Sequence, residues 1–107
     1  MAGRRPRVGP RLTRERVHPM RITFKLFAML ADHLPAQVDG NAREGNVVSF
    51  EVPEGTTVQQ VIDRFSLPAK LVHLVLIDGR YVEPSARTSR VLAEGESLAI
   101  WPPIAGG

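Results

Sequence analysis

Proline and glycine punctuate this chain at Pro35, Gly40, Gly45, Pro53, Gly55, Pro68, Gly79, Pro84, Gly95 and Pro102, and every folded element has to fit between those stops. An interior proline loses a backbone donor and clashes with the preceding turn, so helices here are short. Arg21-Ile22-Thr23-Phe24-Lys25-Leu26-Phe27 alternates with period two and reads as a strand with Ile22, Phe24 and Leu26 on one face. Phe27, Leu30, Ala31 and Leu34 then recur at helical spacing up to Pro35, and Ala36 to Asn46 reads as a polar loop. Val48 to Val52 alternates again and ends at Pro53 and the Glu54-Gly55 turn. Thr57 and Gln60 stand at capping-box spacing in front of a helical stripe of Val58, Val61, Ile62 and Phe65, which Leu67-Pro68 closes.

Leu71 to Ile77 is almost continuously apolar, the pattern of a central strand covered on both sides. Asp78-Gly79 is the favoured two-residue hairpin turn and leads into Arg80-Tyr81-Val82. Pro84 to Arg90 reads as a polar connection, Glu94-Gly95 as a turn, and Ser97 to Trp101 as the last strand. The order β-α-β-α-β-β-β, with four to five strands and two short helices, predicts an α+β domain: one sheet with its helices on one face.

At 107 residues the chain holds one small domain and a tail. It has no cysteine, which excludes disulfide staples, zinc–thiolate sites, a side-chain persulfide and a cysteine nucleophile. No run approaches a membrane span and no charged start precedes an apolar signal core, so the expected location is cytoplasmic, with no membrane contact. Charge divides unequally. Residues 1–19 carry six arginines against the single Glu15, whereas from Met20 onward eight basic residues face ten acidic ones. The basic leader lacks aromatic residues for stacking and is broken by Pro6, Pro10 and Pro19; it reads as disordered, and nucleic-acid binding is not expected. The competing reading, a nucleic-acid-binding arm, predicts salt-dependent affinity lost with those residues. Met20 opens the first strand pattern and is an alternative start of translation. The expected organisation is a leader over 1–19, a folded domain over 20–101 and an extended tail over 102–107.

Chemistry-bearing motifs are scarce. Gly95-Glu96-Ser97-Leu98-Ala99 has the letters of a serine-hydrolase elbow, but its serine starts a strand instead of a strand-to-helix turn. His18, His33 and His73 lie at no metal-ligand spacing, and no phosphate-cradling glycine loop occurs. Glu94 and Glu96 on one turn read as a solvated surface or as an acidic patch that steers a basic partner.

The ending, Trp101-Pro102-Pro103-Ile104-Ala105-Gly106-Gly107, is different. Two prolines stop the last strand and hold the chain extended, and the six residues from Pro102 reach at most about 20 Å, enough for another protein's active site. Gly106 and Gly107 have no side chains, so their backbone can pass through a narrow channel. A terminal carboxylate needs activation before acyl chemistry, and joining it to AMP supplies both an electrophile and a leaving group. With no nucleotide site on this chain, another enzyme has to do that. With no cysteine, sulfur could be carried only as a terminal thiocarboxylate.

Four segments together carry a resemblance: Phe24-Lys25-Leu26-Phe27-Ala28, Leu76-Ile77-Asp78-Gly79, Leu92-Ala93-Glu94-Gly95-Glu96 and the terminal Trp101 to Gly107. From Met20 to Gly107 the chain resembles the MoaD/ThiS family of β-grasp, ubiquitin-like sulfur carriers, most of all the small subunit of molybdopterin synthase. The resemblance implies a mixed sheet with its first and last strands adjacent. It also implies a Gly107 carboxylate, with Gly106 before it, that an E1-like, ATP-using enzyme adenylates and a sulfur donor enzyme converts to a thiocarboxylate. The chain would bind no cofactor and would not be catalytic alone. Its partner would be a MoaE-like large subunit, in which the tail gives sulfur to a pyranopterin and builds the dithiolene of the molybdenum cofactor. Pro102, Pro103, Ile104 and Ala105 match the family's tail segment. Trp101 stands where phenylalanine is common, Glu96-Ser97 where an acidic pair is usual, and the loop before Val47 is longer. By alternation Trp101 faces away from Leu98 and Ile100, which marks it as an interface anchor or as packing over its own sheet edge. Alternatives within the same chemistry are a carrier for thiamine or another sulfur metabolite, and a modifier joined to lysines of target proteins.

Overall fold

Ile22, Phe24 and Leu26 are buried and their neighbours Arg21, Thr23 and Lys25 are not, so the first strand places its period-two pattern as expected. A computed structural model describes residues 19–104. Strand β1 (Met20–Leu26) is followed by a 3₁₀ helix at Ala28–His33, a small hairpin of β2 (Gln37–Val38) and β3 (Asn41–Ala42), and β4 (Val47–Val52). Helix α1 (Val58–Arg64) comes next, then a 3₁₀ turn at Ala69–Leu71, β5 (Leu74–Ile77), β6 (Arg80–Tyr81), a 3₁₀ turn at Pro84–Ala86 and β7 (Ser97–Trp101).

The five-stranded sheet runs β4-β1-β7-β5-β6. It is mixed: β1 pairs antiparallel with β4 and parallel with β7, and β7 pairs antiparallel with β5. The expected adjacency of first and last strands is therefore present, in the register Phe24↔Leu98 and Leu26↔Ile100. One face of the sheet, with Ile22, Phe24, Phe50, Val75, Ile77, Leu98 and Ile100, closes on Val58, Val61 and Ile62 of α1 and on Leu30. Phe65 at the helix end meets Phe24 at 4.9 Å and Phe50 at 5.6 Å between ring centroids.

Helix α1 begins as the sequence implies. Thr57 Oγ1 accepts from the Gln60 backbone N–H at 3.2 Å, and Gln60 Oε1 accepts from the Thr57 N–H at 2.9 Å. The Asp78-Gly79 turn also forms, with φ of 49° and 84°, the two positive values of a type I′ hairpin.

Three expectations are corrected. The segment Ala36 to Asn46 contains a hairpin, turned by Asp39-Gly40 with φ of 51° and 84°, a second copy of the same Asp-Gly device. Arg43 ties it down by donating to the carbonyls of Ala31, Leu34 and Gly45. The apolar run from Leu71 yields a strand only from Leu74, because Pro68 leads into a 3₁₀ turn. That strand is covered on one face: Val75 and Ile77 are buried, while Leu74 and Leu76 are half-buried on the other. The run is continuous because the sheet's outer face is itself apolar here.

Thr57→Ala removes the half of the capping box in which the threonine hydroxyl accepts from the Gln60 N–H, and leaves the backbone N–H of residue 57 on Gln60 Oε1. The expected loss is about 1 kcal/mol of unfolding free energy, read as a lower urea midpoint at unchanged slope.

Candidate functional site

The parallel register that buries Leu98 and Ile100 turns Ala99 and Trp101 to the outer face of the sheet. Trp101 is half-buried, and its indole lies flat on the Phe27 ring, with centroids 4.0 Å apart and planes 5° from parallel. Leu74 is its cross-strand neighbour on β5; Leu76 stands opposite Ala99 and, on its other side, opposite Tyr81. Phe27, Leu76, Ala99 and Trp101 line a shallow depression of about 300 Å³, with Lys25, Asp78 and Ser97 on its polar side. The adjoining part of the same face, Thr23, Ser49 and Ser97, is polar, and Thr23 Oγ1 and Ser49 Oγ share a hydrogen bond of 3.1 Å. The outer face is thus divided into an apolar half next to the C-terminal chain and a hydrophilic half away from it.

A larger depression, of about 650 Å³, lies at the opposite end of β1 beside Pro19, Arg21, Asp39 and Glu51. It lies at the other end of β1 from Trp101, with Arg21, Asp39, Asn41 and Glu51 on its rim, so the smaller depression, beside the root of the C-terminal chain, is the better candidate for recognition.

The C-terminal chain leaves from a fixed root. The Trp101 carbonyl accepts from the His73 N–H at 3.1 Å, which extends the β5–β7 ladder by one bond. Pro102 is buried, and exposure begins at Pro103, with Ile104 81% exposed. Ile104 is thus an exposed apolar side chain three residues beyond Trp101. Ala105, Gly106 and Gly107 lie outside the described residues.

The acidic turn is organised differently from a steering patch. Glu96 accepts from the Arg90 guanidinium at 2.9 Å and from the Ala93 N–H at 2.7 Å, and Glu94 accepts from the Arg21 N–H at 3.0 Å. These carboxylates close their own turn against β1. Among the described residues no group of three or more histidines and carboxylates converges as a metal site would require, and no helix is long and apolar enough to cross a membrane.

One residue in this region escaped sequence reasoning. Arg87, in the stretch read as a polar connection, is only 8% exposed and donates to the carbonyls of Val72 and His73. Nothing local marks it, since its partners are about fifteen residues away in the chain.

With that geometry in view, comparison with known proteins decides the family. The ThiS family model matches residues 37–107. The chain belongs to the ThiS family. Its members are ubiquitin-like sulfur carriers of the MoaD/ThiS type. Among solved structures, the crystal structure of SAMP1 from Haloferax volcanii is similar, at a TM-score of 0.55 and 25% identity over 81% of this chain and 99% of that one. The β-grasp, ubiquitin-like architecture expected from the four segments is therefore the fold of this ThiS-family chain. No curated protein matches the sequence.

The stack of Phe27 and Trp101 holds the outer face together ahead of any partner. Combining Phe27→Ala and Trp101→Ala in a double-mutant cycle should give a coupling of about 0.5 to 1.5 kcal/mol in urea unfolding. A coupling of zero would mean that Trp101 is free of its own domain.

Proposed function

We propose that this chain is the sulfur-carrying small subunit of a molybdopterin synthase. In this reading an E1-like enzyme joins the Gly107 carboxylate to AMP at the expense of ATP, releasing pyrophosphate. Sulfide-level sulfur, either HS⁻ or a donor enzyme's persulfide whose S–S bond a thiol then reduces, displaces AMP to leave a thiocarboxylate. In a MoaE-like large subunit the terminal sulfur attacks a side-chain carbon of the pyranopterin and displaces an oxygen substituent from it, and water then cleaves the acyl–sulfur bond, restoring the carboxylate and leaving the sulfur on the pterin. The chain itself contributes the reacting terminus and the surface by which partners find it.

The observation that carries this reading is the apolar outer face at the root of the tail. Phe27, Leu74, Leu76 and Trp101 lie on that face, and the chain becomes exposed two residues beyond Trp101, at Pro103 and Ile104. A partner covering that face receives the tail at a fixed place, and the five residues from Pro103 to Gly107 span at most about 17 Å beyond it. Family membership supports the carrier chemistry, and the Trp101-Pro102-Pro103 to Gly107 ending supports the molybdopterin branch. Trp101 serves as anchor by offering the rim and free face of a ring already held by Phe27.

Adding one residue after Gly107 should abolish formation of the thiocarboxylate and leave the fold unchanged by circular dichroism. Mass spectrometry of the cell-derived protein should show one oxygen-to-sulfur exchange at Gly107; branched Gly-Gly adducts on lysines of other proteins would instead identify a modifier. Leu76→Glu places a charge on the docking face and should raise the KM for adenylation by about tenfold or more, with unfolding free energy changed by less than about 1 kcal/mol because Leu76 is half-exposed.

A further inference from the structure

Arg87 carries a guanidinium that is almost wholly buried and has no carboxylate partner: the ion pairs among the described residues are Arg64–Asp39 and Arg90–Glu96. Its Nη1 donates to the Val72 carbonyl at 3.5 Å and its Nη2 to the His73 carbonyl at 3.3 Å, while Nε has no acceptor among the described residues. Burying a cation on these terms is expensive, and an apolar side chain of similar size fills such a space at less cost. Packing alone does not account for an arginine here.

The position of those two carbonyls does. His73 is held from both sides, with its N–H on the Trp101 carbonyl and its own carbonyl under Arg87. Trp101 is the last residue of β7, and the exposed chain starts two residues later. Arg87 in turn has a fixed backbone: its carbonyl accepts from the Gln59 N–H of α1 at 2.9 Å, and its N–H donates to the Pro84 carbonyl at 3.3 Å. A continuous line of polar contacts therefore runs from the first turn of α1 through Arg87 and His73 to Trp101. The planar fork of a guanidinium reaches two successive carbonyls at once, which the single ammonium of a lysine does not reproduce. A cavity of about 130 Å³, lined by Gln59, Asp63 and Leu67 among others, adjoins Arg87. Gln59 donates to Asp63 there at 2.9 Å, so that carboxylate is engaged with its own helix.

We propose that Arg87 is a positioning residue for the carrier reaction: it fixes the backbone at Val72–His73, and through it the place and direction in which the C-terminal chain leaves the fold. This rests on the carrier reading above. The prediction differs from that for the docking face. A face residue changes how tightly the carrier is held, whereas a residue that aims the tail changes how often the bound terminus lies in line with the activated phosphate.

The test uses the full chain as Arg87→Met, which keeps the apolar stem, and Arg87→Lys, which keeps the charge. Both should remain folded. The His73 amide should exchange with solvent about tenfold faster in each, while the Phe24 amide in the central strand is unaffected. With the activating enzyme and ATP, kcat for adenylation of the terminus should fall about tenfold with KM within about twofold of wild type. Unchanged kcat in folded variants, or a rise in KM alone, overturns the proposal, and so does an unchanged His73 exchange rate. If the wild-type chain is not adenylated, the carrier reading fails, and the exchange measurement then decides the Arg87 contact by itself. Should both variants fail to fold, the wild type is examined directly by NMR. Couplings from the Arg87 side-chain nitrogens across hydrogen bonds to the Val72 and His73 carbonyls support the proposal, and their absence overturns it.

Discussion

The parallel pairing of β1 with β7 is the constraint on which the rest of the molecule depends. It brings the first and last strands together in the middle of the sheet, and its register matters to the residue. With Phe24 opposite Leu98 and Leu26 opposite Ile100, all four enter the core. A slip of one position would send Leu98 and Ile100 to solvent and drive Trp101 into the interior, because side chains alternate strictly along a strand. The large apolar side chains of β7 thus decide where the C-terminal chain emerges. The same pairing explains why Phe27, one residue beyond β1, meets Trp101 at the end of β7: the two strands run in the same direction and finish side by side.

A helix as short as α1 has no stability by itself, since isolated helices become marginal below about 12 to 15 residues. It persists because Thr57 and Gln60 satisfy its first turn and because Phe65 closes the aromatic cluster with Phe24 and Phe50. The segment that follows β6 contributes as well: the carbonyls of Arg90 and Arg87 accept from the N–H groups of Val58 and Gln59. This connection of 3₁₀ turns therefore caps the helix on one side and meets the approach to β5 on the other. It is structural in a way its polar composition conceals.

What was legible in the sequence was whatever local periodicity and turn chemistry determine. The faces of β1, β4 and β7, the capping box and the Asp78-Gly79 turn each depend on residues a few positions apart. The Asp39-Gly40 hairpin carried the same dipeptide signal, but its strands are two residues long and have no alternation to draw attention to them. The run from Leu71 to Ile77 misled because continuous apolarity has two origins, burial on both faces or an exposed apolar face, and periodicity does not separate them. For the site, Trp101 and the exposure of Ile104 followed from alternation and the two prolines, whereas the burial of Pro102 and the partners of Arg87 depend on contacts distant in the chain. Such contacts have no local signature.

The proposed role sets a limit on how the outer face can work. Carboxylate and thiocarboxylate both carry one negative charge and differ by a single atom, at the end of a segment that leaves the face behind. Contacts made by Phe27, Leu76 and Trp101 are therefore the same before and after charging, and binding energy that is equal for both forms tightens the complex without favouring turnover. A very tight face would leave discharged carriers occupying the partner and block the next delivery. Discrimination between charged and discharged carrier has to arise where the two differ, in the channel that receives the last residues. A small, partly apolar patch with a depression of about 300 Å³ suits this division of labour. In the carrier reading such a patch aligns the tail, and the choice between charged and discharged forms is left to the channel.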